Sequence, residues 1–585
     1  MSFPKLKPEN GPHQGNIASR LARVAREAPA RAAVRIPEGR ASSGQAGYRA
    51  LTFRQLDEES DRYAQGLARL GIGRGTRVLL MVPPGAEFLA VAFALFKIGA
   101  VVILIDPGIG KKNLLQCIRE VEPEGLIAVS LVHALRQVHR HSFRYLKYAV
   151  TVGRRWFWHG PTLAQIRERH WSKFPTVETT GDDPAAIVFT TGSTGVPKGV
   201  LYRHGMLAAQ VDSIKEHFGI GEEEVGLAAF APFALFSIAM GTTCLLPNMD
   251  PTRPAQVDSS AVIRSIQDHH VTYSFGSPAF WDRVSHYAAE HRIELPTLKK
   301  VMMAGAPVAE RILRRLAIVL PRGAETYTPY GATEALPVTS ITGREILGET
   351  AQLTRAGAGT CVGPPLPGIA LKIIRITDDV IPEWDEALVL PPGEIGEIVV
   401  HGPVVATEYY GREKETARAK IRQGDILWHR MGDVGYLDEK RRLWFCGRKS
   451  HRVITARGTL FPVQCEAIFN CHPDVLRSAL VGVGPRTRQR PVLIIEPHPG
   501  KMPARARARG RFVRELLDLG GKNPLTREIT DVLFHFSFPV DFRHNAKILR
   551  EKLALWAEGR IRGSAGSLWP EAQGSKAPWR GKSSQ

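Results

Sequence analysis

The sequence predicts an α/β protein with a large N-terminal domain of mainly parallel sheets covered by helices. Strand-like apolar runs alternate with helical stretches up to about residue 360, a pattern typical of parallel sheets with helices on their faces. Beyond Gly363 the runs become shorter, and a small β-barrel-like subdomain with strands at residues 371–376 and 394–400 is expected. Because 585 residues are too many for one ordinary core, the chain is expected to form at least two domains.

The first predicted elements are two helices and a strand. Residues 17–30 have the apolar spacing of a helix. Residues 51–56, followed by residues 64–70, predict a capped helix that ends at Gly71. The uninterrupted apolar run at residues 77–82 then predicts a buried strand.

The longest apolar region covers residues 88–105 and has roughly the length of a membrane span. Lys97 and Gly99 interrupt it, so a buried helix followed by a buried strand is the favoured interpretation. The amino terminus lacks the apolar core of a secretory signal, and the six cysteines are scattered without metal-ligand spacing. A cytoplasmic location is therefore expected.

The chain is strongly basic, with 78 Lys and Arg against 57 Asp and Glu. An arginine-rich insertion at about residues 484–511 carries part of this excess. Since no RNA- or DNA-binding motif accompanies it, a solvated basic loop and no nucleic-acid partner are expected. A second basic stretch, residues 144–158, interleaves aromatic residues with cations. It is compatible with a membrane surface or a hydrophobic partner, although an ordinary surface strand and loop is slightly favoured.

A loop rich in glycine and hydroxyl residues follows the apolar residues 185–189. Its glycines permit a tight turn with amides directed at phosphate oxygens, its hydroxyls donate to the same oxygens, and its lysine adds a positive charge. It is not a Walker A loop, because Pro197 stands where the second glycine of that motif would fall. The candidate phosphate-binding residues are Thr190, Thr191, Gly192, Ser193, Thr194, Gly195 and Lys198.

This loop resembles that of the adenylate-forming enzymes, which include acyl-CoA synthetases, firefly luciferase and the adenylation domains of peptide synthetases. Further family motifs occur in the expected order at residues 330–334, 393–398, 432–433 and 447–449. Residues 232–236, 247–254 and 540–547 resemble more closely the β-lactone synthetases of bacterial olefin biosynthesis.

The resemblance implies ATP as co-substrate and Mg²⁺ as cofactor. The loop at 190–198 would hold the β- and γ-phosphates. Thr333 would bind the α-phosphate, and Glu334 would bind Mg²⁺, a hard cation that prefers oxygen ligands. Tyr330 and Gly331 belong to the same motif. Taken without the resemblance, Thr333 and Glu334 could equally form a helix cap after a glycine turn.

Other site residues follow from the same resemblance. Asp433 would accept the ribose hydroxyls with help from Arg448. The run Gly305, Ala306 and Pro307 would pack beside adenine and the acyl group, where small residues allow close approach, although it could also be a plain tight turn. Lys547 would bridge the carboxylate and the α-phosphate during adenylation.

The resemblance also implies a domain division. Residues 1–448 would form the AMP-binding domain, with its β-rich subdomain at about 363–447. Residues 449–558 would form a small, mobile α+β domain with a hinge near Ser450, where relatives usually have Asp or Lys. The composition of residues 559–585 predicts a disordered tail.

The expected activity is adenylation of a long-chain 2-alkyl-3-hydroxy fatty acid, followed by attack of its 3-hydroxyl to give a β-lactone, AMP and pyrophosphate. His204 and His451 are weak candidates for the base. Residues 231–240 and the aromatic residues near 275–281 would line an acyl pocket or simply pack the core. Alternatives are a long-chain acyl-CoA synthetase, an acyl-AMP ligase that loads a carrier protein, and a non-catalytic scaffold. Other olefin-pathway enzymes are implied as partners.

Overall fold

A computed structural model of the protein describes residues 15–40, 46–189, 197–540 and 547–563. The chain divides into two compact units. The large unit comprises Met1–Ser450 and Val540–Lys547, and the small unit comprises His451–Pro539 and Ile548–Gln585. None of the described helices is both long and apolar enough to cross a membrane.

The described strands are numbered in chain order. Those of the large unit are β1 (Ala32–Arg40), β2 (Ala46–Thr52), β3 (Arg77–Met81), β4 (Val101–Leu104), β5 (Gly125–Val129), β6 (Tyr148–Val152), β7 (Pro184–Phe189), β8 (Gly199–Arg203), β9 (Val225–Ala228), β10 (Thr243–Leu245), β11 (Tyr273–Gly276), β12 (Lys300–Met303), β13 (Glu325–Tyr327), β14 (Tyr330–Ala332), β15 (Ala335–Thr339), β16 (Thr360–Gly363), β17 (Ala370–Ile374), β18 (Gly396–His401), β19 (Lys420–Gln423), β20 (Ile426–Leu437) and β21 (Leu443–Arg448). Those of the small unit are β22 (Val453–Thr455), β23 (Gly458–Leu460), β24 (Val475–Val483), β25 (Arg490–Pro497) and β26 (Asp531–Phe534).

The helices are numbered in the same way. Those of the large unit are α1 (Ala18–Glu27), α2 (Phe53–Arg69), α3 (Ala86–Lys97), α4 (Lys111–Val121), α5 (Ser130–Val138), α6 (Leu163–Ile166), α7 (His204–His217), α8 (Ala231–Met240), α9 (Ser259–Asp268), α10 (Pro278–Glu290), α11 (Glu310–Val319), α12 (Gly343–Glu345) and α13 (Ala351–Arg355). The large unit also contains α14 (Glu413–Ala419). The helices of the small unit are α15 (Pro462–Phe469), α16 (Ala506–Gly521) and α17 (Arg550–Gly563).

Two mainly parallel sheets form the frame of the large unit. One has the strand order β13-β12-β11-β9-β10-β1-β2, and only its edge strand β2 is antiparallel. The other has the order β6-β5-β3-β4-β7-β8, and only β8 is antiparallel. Helices cover both sheets, as the alternating apolar pattern predicts.

The predicted local elements of the N-terminal region are confirmed. Thr52 caps α2 with a capping box, in which its side chain accepts from the backbone of Gln55 and the Gln55 side chain binds back. The apolar region at 88–105 is a buried helix, α3, followed by the buried strand β4. Lys97 is only 1% exposed because Asp57 and Asp61 of α2 neutralise its ammonium at 2.7 and 2.5 Å.

The β-rich subdomain is an antiparallel sheet of order β16-β21-β20-β18-β17, with β19 added against β20. Its centre is the long strand β20. The small unit is α+β: β24 and β25 are antiparallel, β26 runs parallel to β25, and β22 and β23 form a hairpin.

Two expectations about the small unit are wrong. The arginine-rich tract is not a loop throughout, because residues 506–521 form α16, whose apolar side chains Phe512 and Leu516 are buried. The C-terminal helix α17 also continues to Gly563, beyond the predicted start of the disordered tail at 559. Contacts four residues apart extend it: Arg562 pairs with Glu558, and Arg560 lies over the ring of Trp556. Residues 564–585 lie outside the described residues.

Candidate active site

A hairpin formed by β14 and β15 presents Thr333 and Glu334 in its turn. The strands pair Tyr330 with Thr339 and Ala332 with Ala335. Gly331 is required between them, since a Cβ there would lie 2.6 Å from the Ala335 carbonyl oxygen. Thr333 and Glu334 therefore sit in a β-turn, and the helix-cap alternative is wrong.

Side chains and backbone from two other segments hold this turn. The Tyr202 hydroxyl, on β8, donates to the Thr333 carbonyl at 2.7 Å. The Ala406 amide donates to the Glu334 carbonyl at 2.8 Å, and the Tyr409 hydroxyl donates to Glu334 Oε1 at 2.7 Å. Backbone and carboxylate of Glu334 are thus fixed separately, as a metal ligand or a catalytic carboxylate requires.

A second cluster joins Asp433, Arg448 and Tyr330. Asp433 on β20 lies directly opposite Arg448 on β21 in the antiparallel ladder. Asp433 Oδ1 is 3.0 Å from Arg448 Nη1, and Asp433 Oδ2 accepts from the Tyr330 hydroxyl at 2.6 Å. The β14–β15 hairpin and the antiparallel sheet therefore meet at this carboxylate.

The electrostatics of the cluster follow from burial. Asp433 is 2% exposed, and burial raises the pKa of its carboxyl, while the charge of Arg448 and the Tyr330 hydrogen bond oppose that rise. In return, the Asp433 carboxylate raises the pKa of Arg448. Burial, and then the nearby Asp433 charge, raise the pKa of Tyr330, so its hydroxyl remains a donor. Because the Arg448 side chain is 36% exposed and keeps part of its hydration, its charge only partly offsets the cost of burying the Asp433 carboxylate.

Lys547 acts on the same cluster. It groups with the large unit, and its positive charge favours the ionised form of Asp433. The sequence prediction that this C-terminal lysine belongs to the nucleotide site is compatible with that position, and its role stays a prediction.

The predicted phosphate loop connects two paired strands. β7 and β8 are antiparallel, with Phe189 opposite Gly199. Thr190, Thr191, Gly192, Ser193, Thr194 and Gly195 lie outside the described residues. Lys198, at the end of the loop, has its Nζ 4.7 Å from the centre of the Tyr409 ring, a cation–π contact. Tyr409 therefore contacts both Lys198 and Glu334.

Gly305, Ala306 and Pro307 follow β12 at the edge where its parallel neighbours also end. Gly305 has φ of +96°, a conformation that favours glycine. The tight turn is thus observed, and contact with adenine or an acyl group stays a prediction.

Sequence reasoning missed Tyr202, Tyr409 and Lys420. Lys420 is 7% exposed, and its Nζ donates to the carbonyl of Ala406. The amide of the same residue, Ala406, donates to the Glu334 carbonyl. Burial lowers the pKa of Lys420 to about 7, although the charge of Glu334 opposes this. His429 on β20 is the strand partner of Lys420, and burial lowers the pKa of His429 well below its usual value. The Tyr409-Tyr410 pair before Gly411 was a visible aromatic signal, but nothing in the sequence pattern marks Lys420 as buried.

The two histidines considered as bases make other contacts. His204 is fully buried, its Nδ1 accepts from the Ile17 amide at 3.2 Å, and burial lowers its pKa to about 4. His451, in the small unit, is 2.9 Å from Glu551 Oε1. The contacts of His204 are those of a core residue.

The aromatic residues expected near an acyl chain separate into two sets, because Phe280 and Trp281 are fully buried in another core cluster. The ring of Phe233 on α8 lies 4.2 Å from that of Phe275 on β11, with 8° between the planes. Phe230 and Phe236 extend the group at 6.3 and 6.1 Å. Phe233 is buried and the other three are only partly buried, so the group has both a core-facing and an accessible side.

The described residues fit an adenosine nucleotide and a hard cation. Asp433 Oδ1 is buried and accepts no well-aligned hydrogen bond from a described residue, so a ribose hydroxyl would satisfy it. Glu334 Oε1 accepts from Tyr409, and no described residue donates to Oε2, so one carboxylate oxygen remains for Mg²⁺.

Comparison with known proteins identifies the family. The AMP-binding enzyme family model matches residues 21–410. An olefin β-lactone synthetase of Xanthomonas campestris pv. campestris is 46% identical over 93% of this chain and 97% of its own, and that of Stenotrophomonas maltophilia is 46% identical over 93% and 98%. The amide bond synthetase McbA of Marinactinospora thermotolerans has the same fold, with a TM-score of 0.74, 22% identity and coverage of 92% and 99%. The chain therefore belongs to the AMP-binding family of ATP-using, adenylate-forming ligases.

Proposed function

We propose that the protein converts a long-chain 2-alkyl-3-hydroxy fatty acid and ATP into a β-lactone, AMP and pyrophosphate. The observation that carries the proposal is 46% identity to two olefin β-lactone synthetases over 93% of the chain. Identity of this extent includes both units rather than the nucleotide site alone.

In the first step a substrate carboxylate oxygen attacks the α-phosphorus of ATP, and pyrophosphate leaves. Asp433 and Arg448 orient the nucleotide through its ribose, which places the α-phosphorus relative to the acid. Lys198 and Lys547 would neutralise part of the charge that grows on the phosphate oxygens, and the Thr333 hydroxyl would donate a hydrogen bond to the α-phosphate. Mg²⁺, when bound at Glu334, supplies further compensation of phosphate charge.

In the second step the 3-hydroxyl oxygen attacks the activated carbonyl carbon of the same acyl group. The carbon–oxygen bond to AMP breaks, the hydroxyl proton is lost, and a four-membered ring closes. The nucleophile is part of the substrate, so the step gains from proximity and needs no second substrate site. The partly buried aromatic stack around Phe233 and Phe275 offers an apolar surface for the alkyl chains.

Product analysis tests the proposal. The protein is incubated with MgATP and a synthetic long-chain 2-alkyl-3-hydroxy acid, with and without CoA, and the product is identified by proton NMR. A β-lactone formed without CoA is expected. An acyl-CoA formed only in the presence of CoA would instead assign the protein to the CoA ligases.

A substrate pair sharpens the test. The matched acid without the 3-hydroxyl can be adenylated but cannot close a ring. With it, pyrophosphate release should stop at about one equivalent per enzyme, whereas the hydroxy acid should turn over. Multiple turnover of both acids without CoA would contradict ring closure as the second step. If neither acid releases pyrophosphate, the proposed substrate class is wrong or the protein is a non-catalytic scaffold.

A further inference from the structure

A basic segment with exposed aromatic residues lies at the β6 edge of a sheet in the large unit, and the strands that flank the phosphate loop, β7 and β8, are at the other edge. Between Glu124 and Glu168 the sequence contains no acidic residue. The same stretch contains seven basic residues, Arg136, Arg140, Arg144, Lys147, Arg154, Arg155 and Arg167. This segment forms α5, a short 3-10 turn, β6 and the loop that follows β6. We call its exposed residues from 131 to 157 the basic–aromatic surface.

Large apolar side chains are exposed on this surface. Trp156 is 51% exposed and Phe157 is 76% exposed, and they follow directly on the exposed Arg154 and Arg155. Leu131 on α5 is 72% exposed. Val138 and Tyr145 are also exposed. A monomeric soluble protein rarely leaves so many large apolar groups together in water without a partner.

Contacts of the buried Trp158 and of Ser130 hold the loop that carries Trp156 and Phe157. Trp158 is buried, its ring stacks on His133 of α5 at 5.4 Å, and its Nε1 donates to Thr151 at 2.9 Å. The Ser130 hydroxyl donates to the Arg154 carbonyl. The outward position of Trp156 and Phe157 is therefore fixed by packing of their neighbour.

Most of the seven cations of the segment have no acidic partner among the described residues. Lys147 pairs with Glu124 and Arg167 pairs with Glu59. The other five cations, Arg136, Arg140, Arg144, Arg154 and Arg155, form no ion pair with any residue that the structure describes. Arg136 also lines a depression of about 420 Å³, whose lining includes Lys147 and His159 but no acidic side chain.

We propose that the basic–aromatic surface docks the protein on an anionic phospholipid bilayer. Exposed Trp and Phe beside arginines are suited to the headgroup region, where rings enter the acyl boundary while guanidinium groups bind phosphates. The uncompensated cations complement a negatively charged leaflet, and the acid-free depression can accept a phosphate headgroup. A bilayer is favoured over an acidic protein because cations alone would match an acidic partner, whereas this surface also exposes Trp156 and Phe157 beside the arginines and Leu131 on α5.

Vesicle sedimentation tests the proposal without ATP or acid, so its outcome does not depend on the proposed function. The full-length protein is mixed with vesicles of phosphatidylcholine alone, or with about 30% phosphatidylglycerol, at low and high salt. Binding to the anionic vesicles is expected, weakened by salt. Arg154→Gln/Arg155→Gln and Trp156→Ala/Phe157→Ala should each lower the partition coefficient about tenfold or more.

Matched controls come from the small unit. Arg505→Gln/Arg507→Gln removes two exposed arginines, and Phe536→Ala removes a ring that is 84% exposed. Both should bind like the wild type. Circular dichroism and adenylation rates check that all variants fold. Equal binding to neutral vesicles, equal losses in the controls, or no loss in the surface variants would overturn the proposal. A wild type that stays in the supernatant with both vesicle types would also overturn it, and would leave an acidic protein as the occupant to test.

Discussion

The Tyr409 hydroxyl donates to Glu334 Oε1 at 2.7 Å, while its ring lies 4.7 Å from Lys198 Nζ. One side chain thus links the end of the phosphate loop to the candidate metal ligand. Isolated bridges pair Val200 with Tyr409 and Ala335 with Val405, so the same segment also joins β8 to the β14–β15 hairpin. We infer that residues 405–409 set the spacing between Lys198, at the end of the phosphate loop, and Glu334, in the turn of the β14–β15 hairpin.

Tyr409→Phe should separate these two contacts. It removes the hydrogen bond to Glu334 and keeps the ring beside Lys198. The apparent affinity for Mg²⁺ should fall about tenfold, because a ligand loses the group that orients it. Titration of the adenylation rate with Mg²⁺ measures this. Tyr410→Phe, at the adjacent position, is the control, and an equal effect of both variants would contradict the assignment.

Asp433→Asn should greatly weaken nucleotide binding without unfolding the protein. The buried carboxylate is the proposed acceptor for the ribose, so kcat/KM for ATP should fall about 100-fold or more. Because burial raises the pKa of Asp433, the ionised group stabilises the fold little, and Tm should change by less than about 3 °C. Asp425→Asn, an exposed acid on the neighbouring turn, should leave both values unchanged. A large fall in Tm would show that Asp433 mainly holds the sheet together.

Lys547→Ala distinguishes an enzyme from a scaffold. If Lys547 bridges the carboxylate and the α-phosphate, pyrophosphate exchange should fall about 100-fold or more. Lys552→Ala removes an exposed lysine five residues further on and should have no effect. If Lys547→Ala keeps full pyrophosphate exchange, the proposed role is wrong.

Lys420 should make stability depend on pH. Its pKa is lowered to about 7 in the folded state, whereas that of an unfolded lysine is about 10.4. Between these values the unfolded state binds more protons, so the free energy of unfolding should rise with pH, by at most about 1.4 kcal/mol per pH unit. Lys420→Met keeps the length and removes the charge. Urea unfolding from pH 6.5 to 9.5 should show the wild type gaining about 1 kcal/mol or more relative to the variant. Parallel curves for the two proteins would contradict a buried, neutral Lys420.

Local structure could be predicted where neighbours in sequence supply the interaction. Thr52 and Gln55 are three residues apart, and their capping box starts α2 as predicted. The alternation of continuous apolar runs with helical stretches predicted the parallel sheets, because strands buried on both faces require continuous apolar runs. The composition of the last segment pointed to disorder from residue 559, although the contacts that continue α17 to Gly563, Arg562 with Glu558 and Arg560 with Trp556, are also local.

By itself the sequence determined the family motifs, their order, and the residues proposed to contact ATP, because chemistry of this kind depends on residue type and short-range spacing. The tertiary structure alone decided which distant residues support them. Tyr202, Ala406 and Tyr409 reach the Thr333–Glu334 turn from positions about 70 to 130 residues away, and burial, not residue type, lowers the pKa of Lys420. Strand pairing and desolvation are properties of the packed chain, so no local pattern can encode them.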